Sequence, residues 1–310
     1  MGMSTRTYQV THITTYSYAG PVTSSYGRGF VTPLELPEQR RLEHSVTVSP
    51  EPTDQSFMVD YFGNTAVYFH VTTEHTELVV TARSRVEVDA PPEGHLKSGL
   101  ADAPWEMCRP TGVDAARAVD FQIDNNPAEI TPDVAAYADE IFTPGRPLAD
   151  AVWDLTHRIF TEYTYKSGST SVSTRVAEVM ERKSGVCQDF SRVAIACLRS
   201  KGLAASYVSG YLATTPPPGK ERMIGADATH AWAAVWLPGN RWLAFDPTND
   251  QFVDERYVTV ARGRDFVDVS PLRGIILTQA KSSSMSVSVD VAPLDAAPRV
   301  EQVPPLQQNG

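Results

Sequence analysis

Three patterns along the chain predict an α+β fold, an N-terminal antiparallel β-sandwich-like domain followed by a helix packed on an antiparallel sheet. From Tyr8 to about Asp89 the apolar residues alternate, with Tyr8, Val10, His12, Thr14 and Tyr16 on one face and Phe57, Val59 and Tyr61 sharing another. That period-two pattern, rich in β-branched and aromatic residues, is the signature of antiparallel strands with one buried face. Farther on, Phe190, Val193, Ala194, Cys197 and Leu198 recur at i, i+3, i+4, i+7 and i+8, the spacing of a buried helix. Beyond that helix, two strand-like runs flank Pro238-Gly239-Asn240 and read as a hairpin.

The composition narrows the function classes. The chain has 310 residues, 42% hydrophobic and 21% charged, which fits a globular protein large enough for two domains. With 37 acidic against 27 basic side chains the net charge is −10. Nucleic-acid binding draws its affinity from neutralised phosphates, so no nucleic-acid partner is expected. No apolar run approaches a membrane span, and the opening residues carry no apolar signal region, so a cytoplasmic protein without a membrane partner is expected. Three cysteines, Cys108, Cys187 and Cys197, are too few for a disulfide framework and suit a reducing compartment.

The pattern divides the chain into an N-terminal β domain (1–95), a connecting segment (96–130), a core (131–262), a β segment that returns to the N-terminal domain (263–296) and a loose tail (297–310). Residues 90–100 are rich in Pro, Gly and polar side chains, a boundary composition. Thr131-Pro132 is an N-cap followed by proline at the first helical position, and Pro147 starts a second helix with a stripe through Leu148, Val152, Leu155 and Ile159. The histidines of the β region, His12, His44, His70 and His75, have no acidic or thiol neighbour at a chemical spacing and read as sandwich-surface residues.

The predicted buried helix runs from about Val186 to Ser200, with Ser184 or Gly185 at its N-cap and Gly202 at the left-handed position past its end. Cys187 then lies in the first turn, where unsatisfied N–H groups and the positive end of the helix dipole favour a thiolate. Asp189 opposes this by like-charge repulsion. Cys197 falls on the apolar stripe and reads as core. In the hairpin, His230 and Trp232 share a face of one strand. A two-residue turn would put Asp246 on the opposite face. A three-residue loop, with Asn240 in the left-handed conformation that Asn tolerates, sets Asp246 opposite Trp232 and diagonal to His230, with Cα atoms roughly 7–8 Å apart. A thiol nucleophile, an imidazole base and an orienting carboxylate would then converge as Cys187, His230 and Asp246.

The blocks GVCQDFSRVAIACLRSKGL, HAW and DPT, in this order, resemble the catalytic core of the transglutaminase-like superfamily of papain-like thiol enzymes. The resemblance spans about residues 130–262, and the preceding β region resembles the N-terminal β domain of bacterial members. It implies that Cys187, His230 and Asp246 form a catalytic triad that forms a thioester acyl-enzyme on an amide carbonyl. It also implies an oxyanion-stabilising aromatic upstream of the cysteine, for which Tyr165 is the candidate and Tyr163 the alternative. Gln188, beside the nucleophile, and Trp232, with Trp236 and Trp242, are candidates for substrate contact. The expected partner is a peptide or protein amide, with water or an amine as acceptor, and no cofactor is implied. A non-catalytic binding module on the same fold is the competing class.

The acidic run Asp246, Asn249, Asp250, Asp254 and Glu255 lacks the central Gly and bidentate Glu of a calcium loop. Cys187 and Cys197 are separated by about 15 Å of helical rise, too far to share a zinc ion. No metal is expected. The residues from Thr214 to Ala228, with their Pro-Pro-Pro-Gly run, read as a surface loop beside the site.

Overall fold

A computed structural model describes residues 4–112, 115–124, 128–214 and 229–294. The β region holds β1 (Thr5–Gly29), β2 (Gln39–Ser49), β3 (Asp54–Val59), β4 (Thr65–Val71) and β5 (His75–Asp89). They join one seven-stranded antiparallel sheet in the order β2-β5-β1-β4-β3, completed by two late strands, β13 (Leu272–Thr278) and β14 (Ser283–Pro293), which both pair with β1. The 25-residue β1 serves both halves of this sheet. Its first part lies between β5 and β14, and its last part between β4 and β13. The inward-facing Val46, Val48, Leu78 and Val80 of one half pack in a single cluster with Val67, Phe69 and Val71 of the other. The alternation is therefore that of a sandwich-like core, as the sequence predicts.

Two of the β-region histidines, His12 and His75, are buried rather than at the surface, and His44 and His70 are half-buried. His12 is 1% exposed and His75 7%. Burial is tolerated because hydroxyls meet the rings: His12 Nδ1 pairs with the Tyr211 hydroxyl at 2.8 Å and its Nε2 with Thr14 at 2.9 Å, and His75 Nε2 pairs with Ser25 at 2.9 Å.

Along the chain between the two sheets come short 3₁₀ turns, one of which buries Trp105 and Cys108, and a short helix α1 (Ala116–Val119). The helices α2 (Pro132–Ile141) and α3 (Leu148–Glu162) follow, the first capped by Thr131, whose side chain accepts from the Val134 N–H. Then come β6 (Thr164–Tyr165), α4 (Val176–Arg182), β7 (Ser184–Gly185) and α5 (Cys187–Ser200). A five-stranded antiparallel sheet in the order β11-β10-β9-β8-β12 forms the second layer, from β8 (Ala205–Leu212), β9 (Thr229–Leu237), β10 (Arg241–Asp246), β11 (Gln251–Phe252) and β12 (Tyr257–Gly263), and α6 (Phe266–Val269) packs beside it. Phe190, Val193, Ala194, Cys197 and Leu198 of α5 join Ala231, Ala233 and Val235 of β9 in the largest apolar cluster. Helix α5 thus lies on a sheet, as its stripe predicts.

The two sheets are joined through β8 and β12. Tyr8, Val10, Val86 and Val88 pack with Tyr211, Val258 and Val260. The Gln39 amide donates to the Leu34 and Thr259 carbonyls, at 2.7 and 2.8 Å, and accepts from the Thr259 N–H at 2.8 Å, so this buried side chain splices the β region to β12.

Candidate active site

Cys187 is the first residue of α5, and what places it there is a local lock. The N-cap is Val186, with extended backbone, rather than Ser184 or Gly185, which instead form β7. Valine has no side-chain oxygen to cap the helix, so the third helical residue supplies one. Asp189 folds back and its Oδ2 accepts from the Val186 N–H at 2.8 Å and from the Thr170 hydroxyl at 2.6 Å. Asp189 is 1% exposed and stacked so closely on Gly185 that a Cβ there would lie 2.7 Å from its Oδ2. Gly185 is thus fixed by this approach. The acid that the sequence sets against Cys187 has a structural task at the helix start.

β7 pairs in parallel with β6, Tyr165 opposite Gly185, and the Lys166 N–H donates to the Gly185 carbonyl at 2.8 Å. This pairing carries Tyr165 to the mouth of the helix. Its ring meets Phe190 edge-on at 6.4 Å and remains 54% exposed, and burial, then the neighbouring Cys187, push its phenol pKa up. Tyr163, two residues earlier, is 5% exposed and packs beneath on Phe190. Of the two tyrosines only Tyr165 borders the cleft.

The hairpin has the register that brings His230 to Asp246. Arg241 pairs with Leu237 and Phe245 with Ala233, so residues 238–240 form the loop, and Asn240 takes φ 56°. His230 Nε2 donates to Asp246 Oδ2 at 2.7 Å. Asp246 is fully buried, and its carboxylate also accepts from the Asn249 amide at 2.7 Å, the Tyr257 hydroxyl at 2.8 Å and the Thr248 N–H at 2.8 Å. Burial would raise its pKa, but the hydrogen bond and charge of His230, with Asn249 and Tyr257, bring it below the usual carboxylate value. Burial likewise works against charge on His230. The hydrogen bond to Asp246, the side-chain interaction with Cys187 and both their charges outweigh it, lifting the ring to about 10. Since Nε2 is taken by Asp246, Nδ1 is the nitrogen left for Cys187.

Cys187, His230 and Tyr165 line one cleft of about 370 Å³, together with Leu212, Thr214, Thr229, Thr248 and Asn249. The other two thiols are fully buried, and burial pushes Cys108 up to about 11 and Cys197 to about 12. Gln188 does not line the cleft. Neither do the tryptophans. Trp232 is 1% exposed, edge-on to Tyr257 at 5.2 Å and 6.1 Å from the His230 ring, so it packs against that ring. It fits because Gly210 of β8, the residue opposite His230, leaves room for the indole, which a Cβ there would meet at 2.5 Å. Trp236 is buried in a separate cluster, and Trp242 borders a different cavity.

Sequence reasoning missed Asn249, Tyr257 and Thr248 as partners of Asp246. A signal for Asn249 exists in the DPTN run, where an Asx side chain three residues past a carboxylate can fold back onto it. The acidic residues beside it are otherwise engaged: Asp250 with His157 at 2.8 Å, Asp254 with Arg256 at 2.6 Å and Glu255 with Arg6 at 3.2 Å. Among the described residues no group of three or more His, Cys, Asp or Glu is placed to hold a metal ion, and no helix is long and apolar enough to cross a membrane. The loop residues 215–228 lie outside the described residues.

The family model of the transglutaminase-like superfamily matches residues 135–247, and that of the bacterial transglutaminase-like N-terminal region matches residues 8–87. The chain belongs to the transglutaminase-like superfamily. An uncharacterized protein of Mycobacterium tuberculosis is 55% identical over 94% of each chain. A protein-glutamine gamma-glutamyltransferase of Pseudomonas aeruginosa is 28% identical over 127 residues, 39% of this chain and 19% of that one. Among solved structures, a "putative cysteine protease" from Cytophaga hutchinsonii superimposes with a TM-score of 0.72 at 20% identity, over 95% of this chain and 92% of that one, so the two share a fold. All three blocks, Cys187, His230 and Asp246, fall inside the region that the superfamily model matches.

Proposed function

We propose that the protein is a cysteine-nucleophile amidohydrolase or peptidase working through Cys187, His230 and Asp246. The observation that carries the reading is the 2.7 Å bond from His230 Nε2 to a fully buried Asp246, with the ring's other nitrogen left for a thiol at a helix start in the same cleft. In this scheme His230 Nδ1 takes the Cys187 proton and the sulfur attacks the amide carbonyl carbon. The charge that develops on oxygen meets the Cys187 backbone N–H, one of the unpaired donors of the first helical turn, and the Tyr165 hydroxyl. His230 then gives its proton to the departing nitrogen, the C–N bond breaks, and a thioester remains. Water attacks the thioester, its proton passes to His230, the C–S bond breaks and the thiol is restored. Asp246 holds the ring in orientation and offsets its positive charge throughout.

Water is the acceptor in this reading, and an amine in its place would make the same three residues a transferase. Three unpaired cysteines support a reducing, cytoplasmic setting. Incubation with casein and a fluorescent amine tests the reading, following ammonia, new peptide termini and amine incorporation against a Cys187→Ala control. Ammonia or new termini that vanish in the control are expected. Amine incorporation in excess of both would make the protein a transferase, and no product distinguishing it from the control would leave the fold as a binding module.

A further inference from the structure

We propose that a second cavity, between the β region and the core sheet, is a binding site for a small monocarboxylate with an apolar body. The cavity holds about 350 Å³ and shares no lining residue with the catalytic cleft. Its walls come from both regions: Leu36, Val88 and Pro91 of the β region, and Trp242, Leu243 and Val253 of the core. Its size and its mostly apolar surface are those of a small-molecule site.

The chemistry of the ligand follows from the charges on that wall. Asp89 and Asp254 line it, but each is already taken, by Arg40 at 2.7 Å and by Arg256 at 2.6 Å. Arg262 also lines it, with a side chain only 16% exposed, and it is under-compensated. Its Nε is buried without a hydrogen-bond partner, and its one ion-pair contact, Glu38, stands 3.6 Å from Nη2, beyond hydrogen-bond distance. Glu38 is itself half exposed, so it offers little against the cost of burying a guanidinium. Arg241 adds a second cation at the same wall. A carboxylate brought in on an apolar tail would pair with Arg262 while its tail covers Leu36, Val88 and Trp242. A neutral ligand of the same shape would gain only the second part.

The test titrates the full chain with sodium octanoate and with octan-1-ol by calorimetry. Octanoate is expected to bind saturably, about tenfold or more tighter than octan-1-ol, the range of a charge-assisted bond. Arg262→Gln should bring octanoate down to the affinity of the alcohol. Glu38→Gln, which removes the competing carboxylate from the rim, should tighten octanoate, and this variant keeps the test open if Arg262→Gln fails to fold. Ala244→Phe, which fills the cavity from β10, should abolish both. Equal affinity for acid and alcohol, weaker octanoate binding in Glu38→Gln, octanoate binding that survives Ala244→Phe, or no saturable binding at millimolar concentration would each overturn the proposal.

Discussion

Two buried imidazoles in this molecule sit in opposite environments. His12, in the β region, has hydroxyls on both nitrogens and no carboxylate, and burial pulls it down to about 4. His230, in the core, is nearly as enclosed, yet a carboxylate on Nε2 and a thiol side chain beside it lift it to about 10. Burial acts in the same direction on both rings, so the partner decides the outcome. Hydroxyls can give or accept a proton and satisfy a neutral ring without favouring charge. A buried carboxylate can only accept, and it is charge on the ring that it stabilises. His44 repeats the first case, with Thr32 at 2.9 Å and Ser84 at 2.8 Å, and burial followed by the charge of Arg41 brings it to about 4.

The most direct way to break the contrast is to give His230 the surroundings of His12. Asp246→Asn should lower turnover by roughly 10⁴-fold, as loss of an orienting carboxylate does in other triads. The same change should drop the His230 pKa toward or below its ordinary value, read by NMR titration of the ring. The chain should still fold, with a loss of about 1–3 kcal/mol because one of the donors now facing Asp246 would meet an amide NH₂. Unchanged turnover with an unchanged ring titration would show that Asp246 is not what charges His230.

Stability against pH sharpens the contrast next, since the two kinds of ring act with opposite sign. His12 and His44 have folded pKa values below the unfolded 6.5, so the unfolded chain binds more protons between 6.5 and about 4. Their contribution is complete above 6.5 and is lost as pH falls to about 4, on the order of 3 kcal/mol for the fully buried His12 and less for His44. His230 is raised, so its contribution is complete below 6.5 and is lost as pH rises through about 10. Denaturant titrations from pH 4 to 10 should therefore show stability falling on both limbs. His12→Gln should flatten only the acid limb and Asp246→Asn only the alkaline one.

The smallest effect comes from the support beneath the carboxylate. Tyr257→Phe removes one of the donors to Asp246 Oδ2 and leaves His230 and Asn249 in place. It should cost about 1 kcal/mol of stability and reduce turnover only a few-fold, with the His230 titration nearly unchanged. A loss as large as that of Asp246→Asn would mean that the hydroxyl, rather than the hairpin register, holds the carboxylate in place.

The sequence made the fold class and the convergence of base and carboxylate legible because both depend on short-range periodicity. Alternation marks strands, the stripe through Phe190 and Leu198 marks α5, and Asn240 selects the loop that puts Asp246 on the His230 face. What stayed hidden depends on residues far apart in the chain or on shape. The burial of His12 rests on Tyr211, 199 residues away. Trp232 packs against the His230 ring rather than in the cleft because the neighbouring strand offers Gly210 and leaves room for the indole. The cap of α5 comes from Asp189 rather than from Ser184, since β7 extends through Gly185 and leaves Val186 at the helix start. Neither hydroxyl partners nor a missing Cβ on another strand leave a period in the sequence.

The central claim is that His230, charged by Asp246, activates the sulfur of Cys187. Alkylation with iodoacetamide at neutral pH, mapped by peptide and compared with a His230→Ala variant, tests it most directly. Rapid labelling of Cys187 ahead of the fully buried Cys108 and Cys197, lost in the variant, is the predicted result. Equally slow labelling of all three thiols, or a Cys187 preference that the variant retains, would contradict it.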